Sequence, residues 1–341
     1  MGSGALLPAS QGLEIDDARI EAVDVESGRG RCSTSCRGLH GTRTKKKMHW
    51  LRRRFPLLLL GLLPALTWAQ AWLPDRGTIG ASFVHDDIEN NDHFLPNGDE
   101  LDVGHTRTFS DAITLAYSPS DRWLLSLGVP YVRSRYHGDH PHLGTNIDDG
   151  TYRGTFTDLR ADLHFEAMEN PFAFAPYVAL IVPLHDYPTL GHAAPGRHLD
   201  ERWIGFYAGK SLDRWLPRMY VQGQYDFAFV REVQNVSHNR SNAELEVGYF
   251  LNPKWSVRAL GAWQHTHGGI DVPVPRTNRY YPNHDRLAAE RYLQVGGGVA
   301  FEWSPGSSAY LVYKTAVSGA NGHRLNNGFT LGVAYSFSTL R

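Results

Sequence analysis

Five ionisable side chains occupy alternate positions near the middle of the chain: Asp158, Arg160, Asp162, His164 and Glu166. Every residue between them is apolar. Because successive side chains of a β-strand point to opposite faces, a strand here has one apolar face and one charged face. Carboxylate, guanidinium and imidazole groups on one face can attract and orient a small polar or amphipathic solute.

Other segments repeat this alternation and add charged or amide groups to a polar face. In 242–251, for example, Glu244 and Glu246 alternate with Leu245 and Val247. The further residues that we expect on this face are Gln222, Gln224, Asp226, Glu244, Glu246, Arg258, Gln264 and Glu302. Together with the five residues above, they form the set that we predict to line a lumen and to set its selectivity.

Histidines are the other residues that could perform chemistry, since the chain has 17 of them. The groups whose spacing could capture Zn²⁺ or Cu²⁺ are His137, His140 and His142 in one segment and His265 and His267 in another. No cysteine follows residue 36, methionines are few, and no compact quartet of ligands is visible. We therefore expect solvated loop histidines, with no metal and no cofactor.

A nucleophilic enzyme would need a serine and a histidine on one face of a strand, oriented by a third group. Ser237 and His238 are adjacent, so their side chains would face opposite ways. His265 and His267 share a face, but no serine stands beside them in the sequence. The sequence therefore predicts no catalytic residues, although a lipid or peptide hydrolase stays open as an alternative.

The elements that position these residues are twelve alternating segments. We place them at 77–86, 105–118, 123–135, 155–168, 172–185, 201–212, 219–230, 240–251, 255–267, 290–303, 308–318 and 328–337. Short connections alternate with long ones, which run over 87–104, 136–154, 186–200, 231–239, 268–289 and 319–327. This pattern predicts an all-β fold: a closed antiparallel transmembrane β-barrel of about twelve strands over residues 72–341.

A soluble β-sandwich also has alternating strands, but its strands average about 5–6 residues, and these segments are longer. Aromatic residues provide a second argument, because they fall in two bands on the apolar faces. Those beside the short turns are Tyr117, Trp123, Phe165, Phe172, Tyr249, Trp255, Trp303 and Phe337, and those near the long loops are Phe83, Tyr131, Phe229, Trp263 and Phe329. Aromatic girdles at both lipid–water boundaries favour the barrel.

The segment before the barrel predicts export. Arg52, Arg53 and Arg54 precede an apolar run over 55–66, and Ala69 and Ala71 supply the small residues of a cleavage site. We predict a signal peptide over 48–71 that is cleaved after Ala71. Residues 1–47, with Cys32 and Cys36, have no such role, and we interpret them as a disordered extension from a misassigned start.

Charge excludes one class of partner. Residues 72–341 hold 23 Lys and Arg against 29 Asp and Glu, a formal charge of −6. A nucleic-acid-binding protein needs a basic surface, so we expect no nucleic acid partner.

The middle of the chain resembles the outer-membrane barrels of the MetA pathway of phenol degradation, a family of transporters. The similarity is carried by the motifs at 127–132, 157–163 and 177–187 and by Gly196. Strands that end in Pro130 or Pro183 before a long loop, and an Asp-Leu strand start at Asp158, are typical of that family. The resemblance implies a barrel that passes small hydrophobic compounds and supplies no site residues.

These observations predict a channel of the bacterial outer membrane for small molecules, aromatic or amphipathic ones included. Its expected partners are outer-membrane lipid, the solute, and the barrel-assembly machinery, which would read Phe337 near the chain end. Two alternatives remain open. One is a non-conducting barrel whose loops, rich in His and Tyr, bind a ligand, metal or partner, and the other is the hydrolase considered above.

Overall fold

The computed structural model describes residues 71–139, 142 and 146–340. The predicted signal peptide up to residue 70, the extension before it with Cys32 and Cys36, and His140 lie outside the described residues. The predictions for those residues therefore stay predictions.

Long antiparallel strands make up nearly all of the described chain. They are β1 (Thr78–Phe94), β2 (Glu100–Ser120), β3 (Trp123–His137), β4 (Arg153–Phe156), β5 (Asp158–Phe165), β6 (Ala173–Pro183), β7 (Glu201–Ser211), β8 (Met219–Val230), β9 (His238–Asn252), β10 (Trp255–Gly268), β11 (Arg291–Ser304), β12 (Ser307–Ala320) and β13 (Gly322–Ser338). One four-residue helix, α1 (His284–Leu287), follows a 3₁₀ turn in the connection between β10 and β11.

The strands form a closed barrel. Each strand pairs with its neighbours in chain order, and β1 pairs with β13, from Thr78 opposite Ser338 to Phe94 opposite Gly322. The short β4 and the following β5 both pair with β3, and only Thr157 separates them, so they form one strand of the barrel. The predicted twelve-stranded antiparallel barrel is confirmed. Pairing of β1 with β13 closes the sheet, which satisfies the backbone hydrogen bonds of both strands as lipid requires.

Two of the predicted long loops are wrong. Strand β1 continues to Phe94 and β2 begins at Glu100, so most of 87–104 is a strand hairpin. Only Asn321 separates β12 from β13, in place of the loop predicted over 319–327. These extensions carry polar residues on both faces. Where no lipid touches the outer face, the alternation that reveals a strand is lost although the ladder of hydrogen bonds continues.

The two ends of the barrel differ. Five short turns lie at one end, the turn end, together with both ends of the described chain, where the Thr339 amide donates to the Gly77 carbonyl at 2.8 Å. The connections 138–152, 184–200 and 269–290 lie at the other, the loop end. No helix among the described residues is long and apolar enough to cross a membrane.

The outer face is apolar between these ends. Leu115, Leu127, Ile204 and Leu245 are each about half exposed, although they are large apolar side chains on central parts of strands. Trp123, Trp255 and Trp303 lie outward at the turn end, as predicted. A continuous apolar belt on a closed sheet is stable when hydrocarbon surrounds it.

Candidate functional site

The inner face carries a group around Asp162. Arg160 Nη2 lies 2.7 Å from Asp162 Oδ1, and Ser126 Oγ donates to Asp162 Oδ2 at 3.2 Å. The Arg160 guanidinium also lies over the Trp203 ring, 4.6 Å from its centroid. Arg160 is therefore held by a carboxylate and by an aromatic face, which fixes its position on the lumen wall.

A second group is centred on Asp226, whose side chain is almost fully buried. The Tyr177 hydroxyl donates to Asp226 Oδ2 at 3.0 Å, Gln224 Nε2 donates to the same oxygen at 2.9 Å, and Asn242 Nδ2 donates to Oδ1 at 2.6 Å. These residues lie on three different strands. Its three donors are neutral side chains, so this carboxyl group is held by hydrogen bonds without a cationic partner among them.

The third group surrounds Glu246, nearer the turn end. Tyr220 and Gln222 donate to Glu246 Oε1 at 2.6 and 3.1 Å, and Arg258 Nη1 lies 3.2 Å from Oε2. The side chains of Arg258 and Glu246 are both less than 10% exposed. Such a pair is fixed by its surroundings and carries no net charge into the lumen.

The predicted lumen set contains two cationic residues, Arg160 and Arg258, and the structure adds two more. Arg240 forms a buried ion pair with Glu201, whose other contact is the Trp203 indole nitrogen at 2.8 Å. Lys314 lines a cavity beside Glu244. Glu201 begins β7 and Arg240 lies near the start of β9, both at the loop end. The alternation of apolar and polar residues does not indicate there which side chains point inward.

A cavity of about 520 Å³ lies among these groups. Its wall combines charged side chains with the rings of Trp203, Tyr207 and Tyr292. The residues of the predicted set that line it are Arg160, Asp162, His164, Gln224, Asp226, Glu244 and Gln264. Its volume falls in the range of small-molecule sites, about 300–1,000 Å³.

The remaining residues of the predicted set lie closer to the two ends. The Tyr187 hydroxyl, from the 184–200 connection, donates to Asp158 Oδ1 at 2.6 Å. Gln222, Arg258 and Glu302 line a smaller cavity of about 290 Å³ towards the turn end. Glu166 follows the last residue of β5 and is half-buried there.

The segment before β1 lies inside the barrel at the turn end. Ala71 and Leu73 are buried against inward-facing residues of β2, β3, β6 and β7, and Trp72 lines the 290 Å³ cavity. A Cβ added at Gly209 would lie 2.5 Å from Ala71 Cβ and 2.7 Å from the Trp72 ring. The glycine therefore makes room for this segment, which we call the N-terminal plug (71–73) and of which Trp72 and Leu73 remain after the predicted cleavage behind Ala71. Sequence analysis missed it.

At the loop end, the long connections cover the mouth. Arg197 Nη2 lies 2.6 Å from Glu290 Oε2, and Gln264 donates to the same oxygen at 3.3 Å, so the 184–200 connection reaches a lumen side chain. Leu199 is almost fully buried against the inward-facing Ala228 and Val230. This cover is largely polar, whereas the contacts of the N-terminal plug are largely apolar.

Of the histidines singled out by spacing that the structure describes, only His142 joins the cluster at the loop end. Its neighbours at the loop end are His192, whose ring centroid is 4.5 Å away, and His284, at 4.7 Å. Burial lowers the pKa of His142 and lowers that of His192 to about 4. Burial alone would raise the pKa of Asp285, but the surrounding imidazoles hold it below its ordinary value.

The other histidines of the prediction lie elsewhere. His137 contacts His105, with 5.2 Å between the ring centroids. His265 and His267 neighbour one another, at 4.8 Å, and His265 stacks near the outward Trp263. These two lie on the outer face near the loop end.

Strand pairing places one serine, distant in the sequence, beside His267. Ser241 Oγ is 2.8 Å from His267 Nε2 because β9 and β10 pair in this register, and the Tyr225 hydroxyl is 3.1 Å from the same oxygen. Among the described residues, no hydrogen bond orients the second nitrogen of His267. A serine–histidine pair without that orienting contact is a poor nucleophile.

We therefore expect the hydrolase alternative to fail a direct test. When the purified barrel is mixed with phospholipid vesicles, the wild type and Ser241→Ala should release equally little fatty acid. Ser241→Ala should also leave solute passage unchanged. Release of fatty acid by the wild-type protein and its loss in Ser241→Ala would establish a hydrolase instead.

Comparison with protein-family models finds no match, and comparison with curated proteins finds none either. The resemblance to the barrels of phenol degradation thus stays a prediction. Solved structures are similar in fold. The COG4313 outer membrane channel from Pseudomonas putida F1 has a TM-score of 0.61 at 14% identity, over 78% of this chain and 97% of that one.

The translocator domain of the autotransporter NalP from Neisseria meningitidis has a TM-score of 0.44 at 13% identity, over 77% of this chain and 90% of that one. Identities this low establish similarity of fold only. The chain has the fold of an outer-membrane β-barrel.

Proposed function

We propose that this protein is a channel of the bacterial outer membrane that passes small molecules through its lumen. The observation that carries the proposal is the 520 Å³ cavity, whose polar and aromatic wall lies between a polar cover and an apolar plug. On this proposal the loop end is extracellular and the turn end is periplasmic, as in barrels with short periplasmic turns.

The cavity wall favours a solute with both apolar and polar parts. Trp203, Tyr207 and Tyr292 offer flat apolar surfaces, and polar side chains such as Arg160 and Gln224 line the same wall. A small aromatic or amphipathic compound fits this combination, in agreement with the compounds implied by the resemblance to the phenol-degradation barrels. A panel of such compounds in vesicle-swelling assays, with sugars of similar size as controls, tests the solute class.

Glu244 supplies a sharper test, because it faces both the 520 Å³ cavity and the adjoining one. A unit charge about 6 Å from an ion in a wet pore changes its energy by roughly 0.7 kcal/mol, or about threefold in relative permeability. Removing the charge lowers the permeability of a cation and raises that of an anion by about this factor each, so we expect Glu244→Gln to lower the cation-over-anion permeability ratio by about tenfold. Reversal potentials in a salt gradient across a planar bilayer measure it.

The matched control is Glu169→Gln, which removes the same charge from an exposed residue in the turn between β5 and β6. It should leave the permeability ratio unchanged. A ratio that is insensitive to Glu244→Gln, or a refolded barrel that conducts nothing and swells with no solute, would contradict the channel.

A further inference from the structure

Four segments that are distant in the chain bring ligand-type side chains together at the loop end. They are His93 near the end of β1, His192 in the 184–200 connection, Asp285 in α1, and His323 at the start of β13. One ligand atom from each lies within 4.8 Å of every other. A second group, His142 and His284, shares Asp285 with the first.

The spacing of one pair of these atoms, His93 and His323, matches that of neighbouring ligands around a metal. In a tetrahedral Zn²⁺ site, metal–ligand bonds of about 2.0–2.1 Å place neighbouring ligand atoms about 3.3 Å apart. His93 Nε2 and His323 Nδ1 are 3.0 Å apart. Asp285 lies 3.3 Å from His284 Nε2 and 3.4 Å from His142 Nε2. These last two distances belong to the adjoining group, and both are longer than a strong charge-assisted hydrogen bond, which is about 2.7–2.9 Å long.

The contacts of the Asp285 carboxylate give the second argument for a metal. Asp285 Oδ2 is buried and receives no hydrogen bond from the described residues. A buried carboxylate needs pairing or a metal to offset the loss of hydration. The nearest groups are imidazoles, which bind a metal in their neutral form.

We propose that His93, His192, Asp285 and His323 form a binding site for a divalent transition metal of the Zn²⁺ or Cu²⁺ class, with His142 and His284 beside it. Imidazole with carboxylate is a ligand set for these borderline ions, whereas Mg²⁺ and Ca²⁺ prefer oxygen ligands. The site goes beyond the proposed channel activity. Its ligands come from β1, β13 and two long connections. A bound metal would therefore link the connections to the barrel wall and stabilise the cover at the loop end.

Zn²⁺ is the probe for binding. The full-length barrel, refolded in detergent and freed of metal with a chelator, should bind a single tight equivalent of Zn²⁺ in isothermal titration calorimetry. Co²⁺ should bind in the same place and give the intense visible absorption of a tetrahedral N/O site, and Zn²⁺ should displace it. Mg²⁺ should not compete.

Variants locate the site. Asp285→Asn combined with His323→Gln should weaken Zn²⁺ affinity by at least about 100-fold, since loss of even an outer-shell contact costs about 10–100-fold. The control is His265→Gln with His267→Gln, which removes two imidazoles on the outer face and should leave affinity unchanged. Heat-modifiable migration of both variants shows that each barrel is folded.

Two results would overturn the proposal. One is the absence of saturable Zn²⁺ binding by the folded wild-type barrel. The other is a binding isotherm that the Asp285/His323 variant retains or that the His265/His267 control loses equally. Conductance is not needed for either result, so failure of the channel proposal would leave this one standing.

Discussion

Replacing Trp72 and Leu73 by serine should raise the ionic conductance of the barrel severalfold. The N-terminal plug is held at the turn end by apolar contacts with residues such as Ala175 and Tyr207. Burying a leucine side chain stabilises by about 1.5–3 kcal/mol. Loss of about 3 kcal/mol across the two positions shifts the balance between inserted and released plug by roughly 100-fold.

The plug, rather than the cover at the loop end, should limit ion flow. Its contacts are apolar, and an apolar constriction excludes ions by dewetting. The cover includes a cavity of about 160 Å³ with Arg197, Glu290 and Asn321 in its wall, which water can enter. An ion must pass both the plug and the cover, and release of the plug therefore removes the larger of these two barriers to ion flow.

The turn between β7 and β8 supplies a matched control, because it contains the same two residue types in sequence. Trp215 and Leu216 are 61% and 50% exposed and lie outside the lumen. Changing both to serine should leave single-channel conductance in a planar bilayer unchanged. If the Trp72/Leu73 variant is folded and conducts as the wild type does, the plug is not a gate.

The strands could be predicted from the sequence because lipid imposes a strict rule on one face of each. Segments such as 158–166, where apolar and ionisable residues alternate, favour strands with one face against lipid. Beyond the apolar belt no lipid contacts the outer face, so apolar and polar residues need not alternate there. The extensions of β1, β2 and β13 were therefore missed, although their backbone pairing is regular.

The site was harder to predict, because its contacts join strands and loops that no local pattern connects. His93, His192, Asp285 and His323 are separated by dozens of residues, so spacing within one segment could not find them. The run of small inward residues, including Ala173, Ala175 and Gly209, was a usable signal for the N-terminal plug. It marks a place on the wall where another segment must fit.

Arg240→Leu should destabilise the folded barrel by about 3–5 kcal/mol, because it leaves the Glu201 carboxylate buried without its counter-ion. The two side chains are 9% and 7% exposed, and they join β7 to β9 across the intervening β8. Denaturant unfolding in lipid vesicles, followed by tryptophan fluorescence and by heat-modifiable migration, measures the loss.

Two further variants separate an unpaired charge from a simple loss of packing. Arg240→Leu combined with Glu201→Leu removes both charges and should recover most of the stability, since paired replacement of a buried ion pair is often neutral. Arg231 and Asp200 form an ion pair of similar length, 2.8 Å, but both side chains are about half exposed. Arg231→Leu should therefore cost no more than about 1 kcal/mol.

The pattern of the three variants identifies the cause. A large loss in Arg240→Leu that is repaired in the double variant means that burial of the unpaired carboxylate dominates. An equal loss in both means that the arginine stem acts by packing, and the ion pair contributes little. Equal, small effects of Arg240→Leu and Arg231→Leu would contradict the burial of the Glu201–Arg240 pair.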